Sequence, residues 1–153
     1  MLPRAKTSQP NKPVDAARTW TTIKSGDRLS GLTVTLAHGA ASLRGHITIA
    51  EGETLPEKLI AYLVPVEREK ADDVLRYYAV AVTADGKIAF NNLAPGRYWI
   101  LAQSTTDDRS PSTKLRLPDL TAMRSALRRA AEAAKTEVEF KPCQQIADFR
   151  LPL

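Results

Sequence analysis

Short apolar runs recur along this chain, and several of them alternate with polar residues in the pattern of β-strands that bury one face. The segments predicted to be strands are 32–36, 43–49, 59–66, 79–82, 88–90, 98–102, 136–140 and 146–151. In the first of them, LTVTL, we expect Leu32, Val34 and Leu36 to point inward. The spacing therefore predicts seven or more short strands.

Two of these segments have features beyond alternation. In segment 43–49 the inward side chains are expected to be Leu43, Ile47 and Ile49, and Gly45 takes the place of a side chain on the same face. Another backbone or a large residue is expected to pack over this glycine. Segment 59–66 (LIAYLVPV) is the most continuously apolar of all, which is typical of a strand near the middle of a sheet.

The stretch from 80 to 102 contains the clearest turns. Asp85-Gly86 lies between two alternating runs and is a typical tight-hairpin dipeptide. Pro95-Gly96 turns the chain again before the apolar run YWILA. These signals predict a β-meander of three consecutive antiparallel strands.

One helix is predicted late in the chain, over about 119–135. Asp119 follows a proline and is expected to cap the helix. The residues that recur at helical spacing as a narrow apolar stripe are Leu120, Met123, Leu127 and Ala130 or Ala131. The residues expected on the opposite, polar face are Arg124, Arg128, Glu132 and Lys135.

Short strands, frequent turns and one helix together indicate a mainly β protein, an antiparallel β-sandwich of about seven strands with an inserted C-terminal helix. Residues 1–30 begin with a stretch rich in proline and polar residues, so they are expected to be a flexible segment or linker, with an edge strand near Trp20 as one option. Residues 31–153 are expected to form the sandwich domain.

Composition and charge narrow the function classes. Lys and Arg outnumber Asp and Glu by 22 to 17, but the basic residues are scattered, so we predict no nucleic-acid partner. No apolar run approaches the length of a membrane span, so no membrane insertion is predicted. The first residues are charged and lack the apolar stretch of a signal peptide, so an export signal would lie outside this chain.

The residues around the predicted turns resemble the carboxypeptidase regulatory-like domains, which have a prealbumin-like (transthyretin-like, Ig-like) sandwich fold. The matching residues are Leu43, Arg44, Gly45, Ile47, Val64, Pro65, Asp85, Gly86, Phe90, Leu93, Pro95, Gly96 and Tyr98. The match covers about 31–102, and its closing motif is similar to those of starch-binding-like and collagen-adhesin B-type modules. The resemblance implies a non-catalytic accessory module of a large bacterial envelope or secreted protein.

Candidate chemistry is sparse. The two histidines, His38 and His46, lack the close spacing of a metal site, and Cys143 is the only cysteine, which excludes an intrachain disulfide. The acidic pairs at 72–73 and 107–108 lack the regular ligand spacing of a calcium loop. We therefore predict no catalytic residue, no metal and no cofactor. The basic side of the predicted helix is expected to be ordinary solvated surface.

Three aromatic residues form the one candidate ligand site. Trp99, Tyr77 and Tyr78 would stack on a sugar ring if they were solvent-exposed and coplanar. The opposing expectation is that Trp99 is covered by the helix or by the N-terminal segment.

The leading functional hypothesis is a structural or protein-interaction module. Its expected partners are other domains of a larger chain or a separate protein, which could pair with an exposed sheet edge. The location would be extracellular or in the cell envelope. The alternative is a carbohydrate-binding module with a polysaccharide partner.

Overall fold

The computed structural model describes residue 15 and residues 22–36, 38–105 and 121–153. Within these residues, the elements are β1 (Ala41–Thr48), β2 (Leu59–Pro65), β3 (Tyr78–Ala81), β4 (Lys87–Leu93), β5 (Gly96–Ser104), α1 (Thr121–Ala134), β6 (Glu137–Phe140) and β7 (Gln145–Pro152). Two short 3-10 turns, Arg68–Lys70 and Val74–Arg76, lie between β2 and β3. The prediction of a mainly β chain with one late helix is confirmed.

The strands form two sheets. One has the order β4-β1-β7 and the other the order β3-β2-β5-β6. All neighbouring strands are antiparallel except β1 and β7, which run parallel from the pair Ser42–Gln145 to the pair Thr48–Pro152. The two sheets pack face to face as a β-sandwich.

The core lies between the sheets and follows from the alternation in the strands. The three-stranded sheet contributes the buried residues Ala41, Leu43, Ile47, Ile88, Phe90, Leu93 and Leu151, and the four-stranded sheet contributes Ala61, Leu63, Tyr98, Ile100, Val138 and Phe140. Inward residues are mostly two apart along a strand, because successive side chains point to opposite faces. In β4 the inward residues Phe90 and Leu93 are three apart, where the register with β1 shifts. Burial of these side chains is the main favourable term in folding.

The predicted β-meander is wrong. The turn at Asp85-Gly86 forms, since Gly86 N–H donates to Thr83 O at 2.8 Å and Thr83 N–H donates to Lys87 O at 3.0 Å. The strands on either side of it do not pair, however, because β3 belongs to the four-stranded sheet and β4 to the three-stranded sheet. Alternation determines which side chains point inward, but it does not determine the partner strand.

The predicted strand at 32–36 is also wrong. These residues have no regular secondary structure, and Leu32, Val34 and Leu36 are 67%, 70% and 88% exposed. The alternating pattern is present, but no strand in the described part of the chain pairs with it. Residues 22–30 likewise form no strand, and the predicted anchor Trp20 lies outside the described residues.

The expectation for Gly45 is confirmed. A Cβ built on this residue would lie 2.1 Å from the Phe149 carbonyl oxygen, so the β7 backbone packs directly over the glycine. The neighbouring expectations for Leu43 and Ile47 are confirmed as well, whereas Ile49 lies just past the end of β1 and is exposed. Segment 59–66 is central as predicted, because β2 lies between β3 and β5.

Candidate interaction site

The three aromatic candidates lie at β3 and β5 but do not form an exposed platform. Tyr77 is only 3% exposed, and its hydroxyl donates to Ala71 O at 2.7 Å. Tyr78 is half-buried, and its hydroxyl oxygen accepts from Ala94 N–H at 2.9 Å. Burial raises the pKa of the Tyr77 hydroxyl above its usual range. Both tyrosine side chains are therefore part of the packing of the sandwich.

Trp99 is half-buried on the outer face of the four-stranded sheet, beneath helix α1. The Arg128 side chain of the helix lies over the indole ring at 4.9 Å from the ring centroid, which is the distance of a cation–π contact. The same guanidinium donates to the carbonyl oxygens of Pro65 and Val66, just where β2 ends. The expectation that the helix covers Trp99 is thus met by the geometry.

The helix packs with part of the predicted apolar stripe, because Leu127 and Ala131 are buried and Ala130 is partly buried against the sheet. Leu127 and Ala131 contact the sheet through a second apolar cluster that includes Val64, Tyr77 and Leu101. Met123 is 55% exposed although it was expected in the stripe. The predicted Asp119 cap and Leu120 lie outside the described residues.

Arg124 and Arg128 were expected on the polar side of the helix, and this expectation is wrong. Arg124 is 8% exposed and Arg128 is half-buried, because both point towards the sheet together with Leu127 and Ala131. Arginine stems pack well on apolar surface, and the Arg128 guanidinium reaches the carbonyl oxygens of Pro65 and Val66 at the end of β2. Lys135 of the predicted polar face is exposed, as is the neighbouring cation Arg129.

Sequence reasoning missed a network at one end of the sandwich. Arg76 Nη1 donates to Pro95 O at 2.7 Å and to the Tyr98 hydroxyl at 3.2 Å. The Tyr98 hydroxyl in turn donates to Ala94 O at 2.9 Å. Burial raises the pKa of Tyr98 well above its usual range, so this hydroxyl stays protonated. The network fixes the turn between β4 and β5.

Charged residues of the loop between β2 and β3 close over the same turn. A Cβ at Gly96 would lie within 3.7 Å of side-chain atoms of Arg76, Lys70 and Glu67. Lys70 and Glu67 form an ion pair at 2.9 Å. Burial is the largest single influence and would raise the pKa of the Glu67 carboxyl, but hydrogen bonds to Lys70 and to backbone groups, together with the charge of Lys70, outweigh it, so the pKa is lowered. Gly96 adopts a φ of 145°, which explains why glycine occupies this position.

The remaining candidate residues are His38, His46, Cys143 and the acidic pair at 72–73. His38 is exposed, while His46 lies on β1 between Lys87 and Arg150 of the flanking strands. Cys143 is an exposed free cysteine in a turn. Asp73 caps a 3-10 turn by accepting from Leu75 N–H at 3.0 Å.

Among the described residues, no three His, Cys, Asp or Glu side chains lie close enough together to hold a metal ion. The acidic pair at 107–108 lies outside these residues. No helix in the described part of the chain is long and apolar enough to cross a membrane.

The open edges of the sheets are the remaining candidate for contact with a partner. Strand β6 is an edge strand: it pairs with β5 on one side, through Gly96–Phe140 to Trp99–Glu137, and with no strand of the described chain on the other. Its outward side chains, Glu137 and Glu139, are exposed, and Glu137 accepts from Arg97 Nε at 2.6 Å. An edge strand of this kind presents unpaired backbone groups to a partner.

Comparisons of the chain with protein-family models, curated proteins and solved structures find no match.

Proposed function

We propose that this chain is a non-catalytic accessory β-sandwich module with a structural or protein-interaction role in a larger exported or envelope-associated bacterial protein. The observation that carries the proposal is the open β6 edge of the four-stranded sheet. A partner strand added there would gain main-chain hydrogen bonds along the edge and specificity from alternate side chains.

The hydrogen bonds made by the buried polar side chains support this role. Arg76, Tyr78 and Tyr98 hold the turn before β5, and Arg128 holds the helix on the sheet. In each case the polar group is bonded to backbone of the sandwich itself. These contacts stabilise the architecture and leave its edges as the surface for binding.

The carbohydrate-binding alternative has weaker support. A sugar ring stacks on an exposed aromatic face. Here Arg128 covers the Trp99 ring, and Tyr77 is buried. Sugar stacking on Trp99 would require helix α1 to leave the sheet, which would expose the apolar cluster beneath it.

The proposal is tested by site-specific photo-crosslinking in the envelope fraction of the host. A photoreactive residue replaces Glu139 on the open edge in one variant and Arg44 in the other. Arg44 is also exposed, but it lies on the three-stranded sheet away from the open edge. We expect a discrete protein adduct from the position 139 variant and none from the position 44 variant.

Two outcomes would contradict the proposal. Equal labelling from both positions would mean that the edge has no special affinity for protein. Glycan-array binding by the intact chain, lost in a folded Trp99→Ala variant, would establish the carbohydrate alternative in its place.

A further inference from the structure

Residues 32–36, here called the donor segment, expose three large apolar side chains at alternate positions. Leu32, Val34 and Leu36 are each more than half exposed, and no backbone hydrogen bond to the described residues involves the segment. Thr33 and Thr35 lie between them, so one side of the extended segment is apolar and the other is polar. Clustered apolar exposure of this kind marks an interaction site.

The donor segment repeats the pattern of the chain around β6. Val34 and Leu36 correspond to Val138 and Phe140, the two buried residues of β6. A residue with positive φ stands three positions after Leu36 and three positions after Phe140: Gly39 has a φ of 95° and Cys143 a φ of 60°. The next strand begins two residues after that, with β1 and β7 respectively.

The two turns also lie side by side in the structure. Cys143 N–H donates to Gly39 O at 2.9 Å, and Ser42 N–H donates to Gln144 O at 2.9 Å. The donor segment therefore leaves the sandwich close to the end of β6. Because its sequence pattern is that of β6, it is suited to pair with a sheet edge in the way that β6 pairs with β5.

We propose that the donor segment of one copy of this chain pairs antiparallel with residues 136–140 of a second copy, and that the exchange is reciprocal. This inference rests on the proposed function and names the partner of the open edge. In the proposed register, the apolar side of the donor segment lies on the same face of the sheet as Val138 and Phe140. The opposed pairs are Leu32 with Phe140, Thr33 with Glu139, Val34 with Val138, Thr35 with Glu137 and Leu36 with Thr136. Donor and acceptor lie next to each other on each copy, as a two-fold symmetric exchange requires.

The charges on β6 favour the donor segment over a second β6 strand. Two β6 strands paired antiparallel about Val138 would bring Glu137 of one copy opposite Glu139 of the other, and opposed like charges are destabilising. The donor segment places threonines at those positions. It can therefore add to the edge without repulsion.

Sedimentation velocity of the full chain over a wide concentration range gives the first test. We expect a reversible dimer that the double variant Val34→Ser and Leu36→Ser weakens by at least about tenfold, since each loses buried apolar surface. The matched control is Thr33→Ser with Thr35→Ser, which should change the dissociation constant by less than about threefold. All four positions are exposed and lie outside the sandwich, so the variants should keep its fold.

Disulfide trapping tests the register. On a Cys143→Ser background, a Thr35→Cys chain is mixed with a Glu137→Cys chain, and rapid formation of a crosslinked dimer is expected. Thr33→Cys mixed with Glu137→Cys is two residues out of register and should crosslink far more slowly.

Three results would overturn the inference: a monomer at every concentration, equal crosslinking in both registers, or protected donor-segment amides in a monomer, which would mean pairing within one chain. None of these would affect the photo-crosslinking to other proteins, so the two proposals fail separately.

Discussion

Tyr98 links the core of the sandwich to the turn at its end. Its ring packs against Phe140 and Tyr78 at centroid distances of 5.7 and 5.9 Å, and its hydroxyl bonds to Ala94 and Arg76. A single side chain thus combines apolar burial with hydrogen bonds to a loop. Removal of the hydroxyl leaves buried backbone and guanidinium groups with fewer partners, which is more costly than the loss of a solvated hydrogen bond.

Tyr98→Phe is expected to lower the free energy of unfolding by about 1–2 kcal/mol at neutral pH. Burial raises the pKa of the Tyr98 hydroxyl in the folded chain, whereas the same hydroxyl ionises near pH 10 in the unfolded chain. Above about pH 10 the folded chain therefore keeps a proton that the unfolded chain releases. The contribution of this hydroxyl to the free energy of unfolding is complete below about pH 10 and is lost as the pH rises further towards the folded pKa.

Urea unfolding at a series of pH values measures both effects. The wild-type midpoint should fall above about pH 10, and the difference from Tyr98→Phe should narrow there. An unchanged difference at high pH would mean that Tyr98 ionises as easily in the folded chain as in the unfolded one.

Gly45→Ala is expected to destabilise the chain because the new methyl group has no space. Its Cβ would meet the Phe149 carbonyl oxygen at 2.1 Å, so β7 would have to move away from β1. We expect a loss at or above the upper end of the range of about 1–3 kcal/mol that overpacking costs. The control is Arg44→Ala, an exposed neighbour on the same strand, which should change stability by less than about 0.5 kcal/mol. Equal effects of both variants would contradict the close packing.

At the scale of elements, Arg128 helps to hold helix α1 on the sheet, beside the apolar contacts of Leu127 and Ala131. Arg128 donates two hydrogen bonds to the carbonyls of Pro65 and Val66 and covers Trp99. Bidentate geometry of this kind is specific to a guanidinium group. A lysine keeps the charge but makes a single point contact.

Arg128→Lys is expected to lower the free energy of unfolding by about 1–2 kcal/mol. Arg129→Lys, at the exposed neighbouring position, should have an effect below about 0.5 kcal/mol. On a Trp20→Phe background, Trp99 fluorescence should also shift to the red in Arg128→Lys alone, because the ring becomes more exposed. Identical spectra and stabilities for the two variants would show that Arg128 does not hold the helix.

The sequence predicted the elements better than their partners. The strands at β1, β2, β5, β6 and β7 were all foreseen from alternation and turn residues. The pattern at 32–36 is as regular as that of β6, yet only β6 finds a neighbouring strand within the described chain. A strand pattern specifies faces, and pairing depends on which edges the rest of the chain leaves open.

The apolar stripe correctly predicts that Leu127 and Ala131 pack on the sheet, but it does not predict the burial of the arginines beside them. Arginine is a polar residue in such a pattern, although Arg124 and Arg128 share one face with Leu127 and Ala131 at helical spacing. The run YWILA is continuously apolar, which indicates burial on both faces of β5, and α1 covers the second face. This agrees with the expectation that the helix covers Trp99.

At the scale of the whole molecule, the two sheets have different surroundings. The outer face of the four-stranded sheet is covered by α1, while the three-stranded sheet carries polar residues such as Arg44, Lys87 and Arg150 outward. The acceptor edge at β6 and the donor segment lie near the junction of the two turns, at Gly39 and Cys143. Contacts with a partner are therefore expected to concentrate at that one corner.

The parallel pairing of β1 and β7 also determines how the molecule bears tension. The chain enters β1 at one end of this pair and leaves β7 at the opposite end, because the two strands run in the same direction. A pull along the chain would slide the strands lengthwise past each other, so the hydrogen bonds between them would be loaded in shear and would have to break together. If the two strands were instead pulled apart from one end, the hydrogen bonds between them would break one at a time and at lower force. A sandwich with this strand arrangement is therefore expected to resist stretching along the chain.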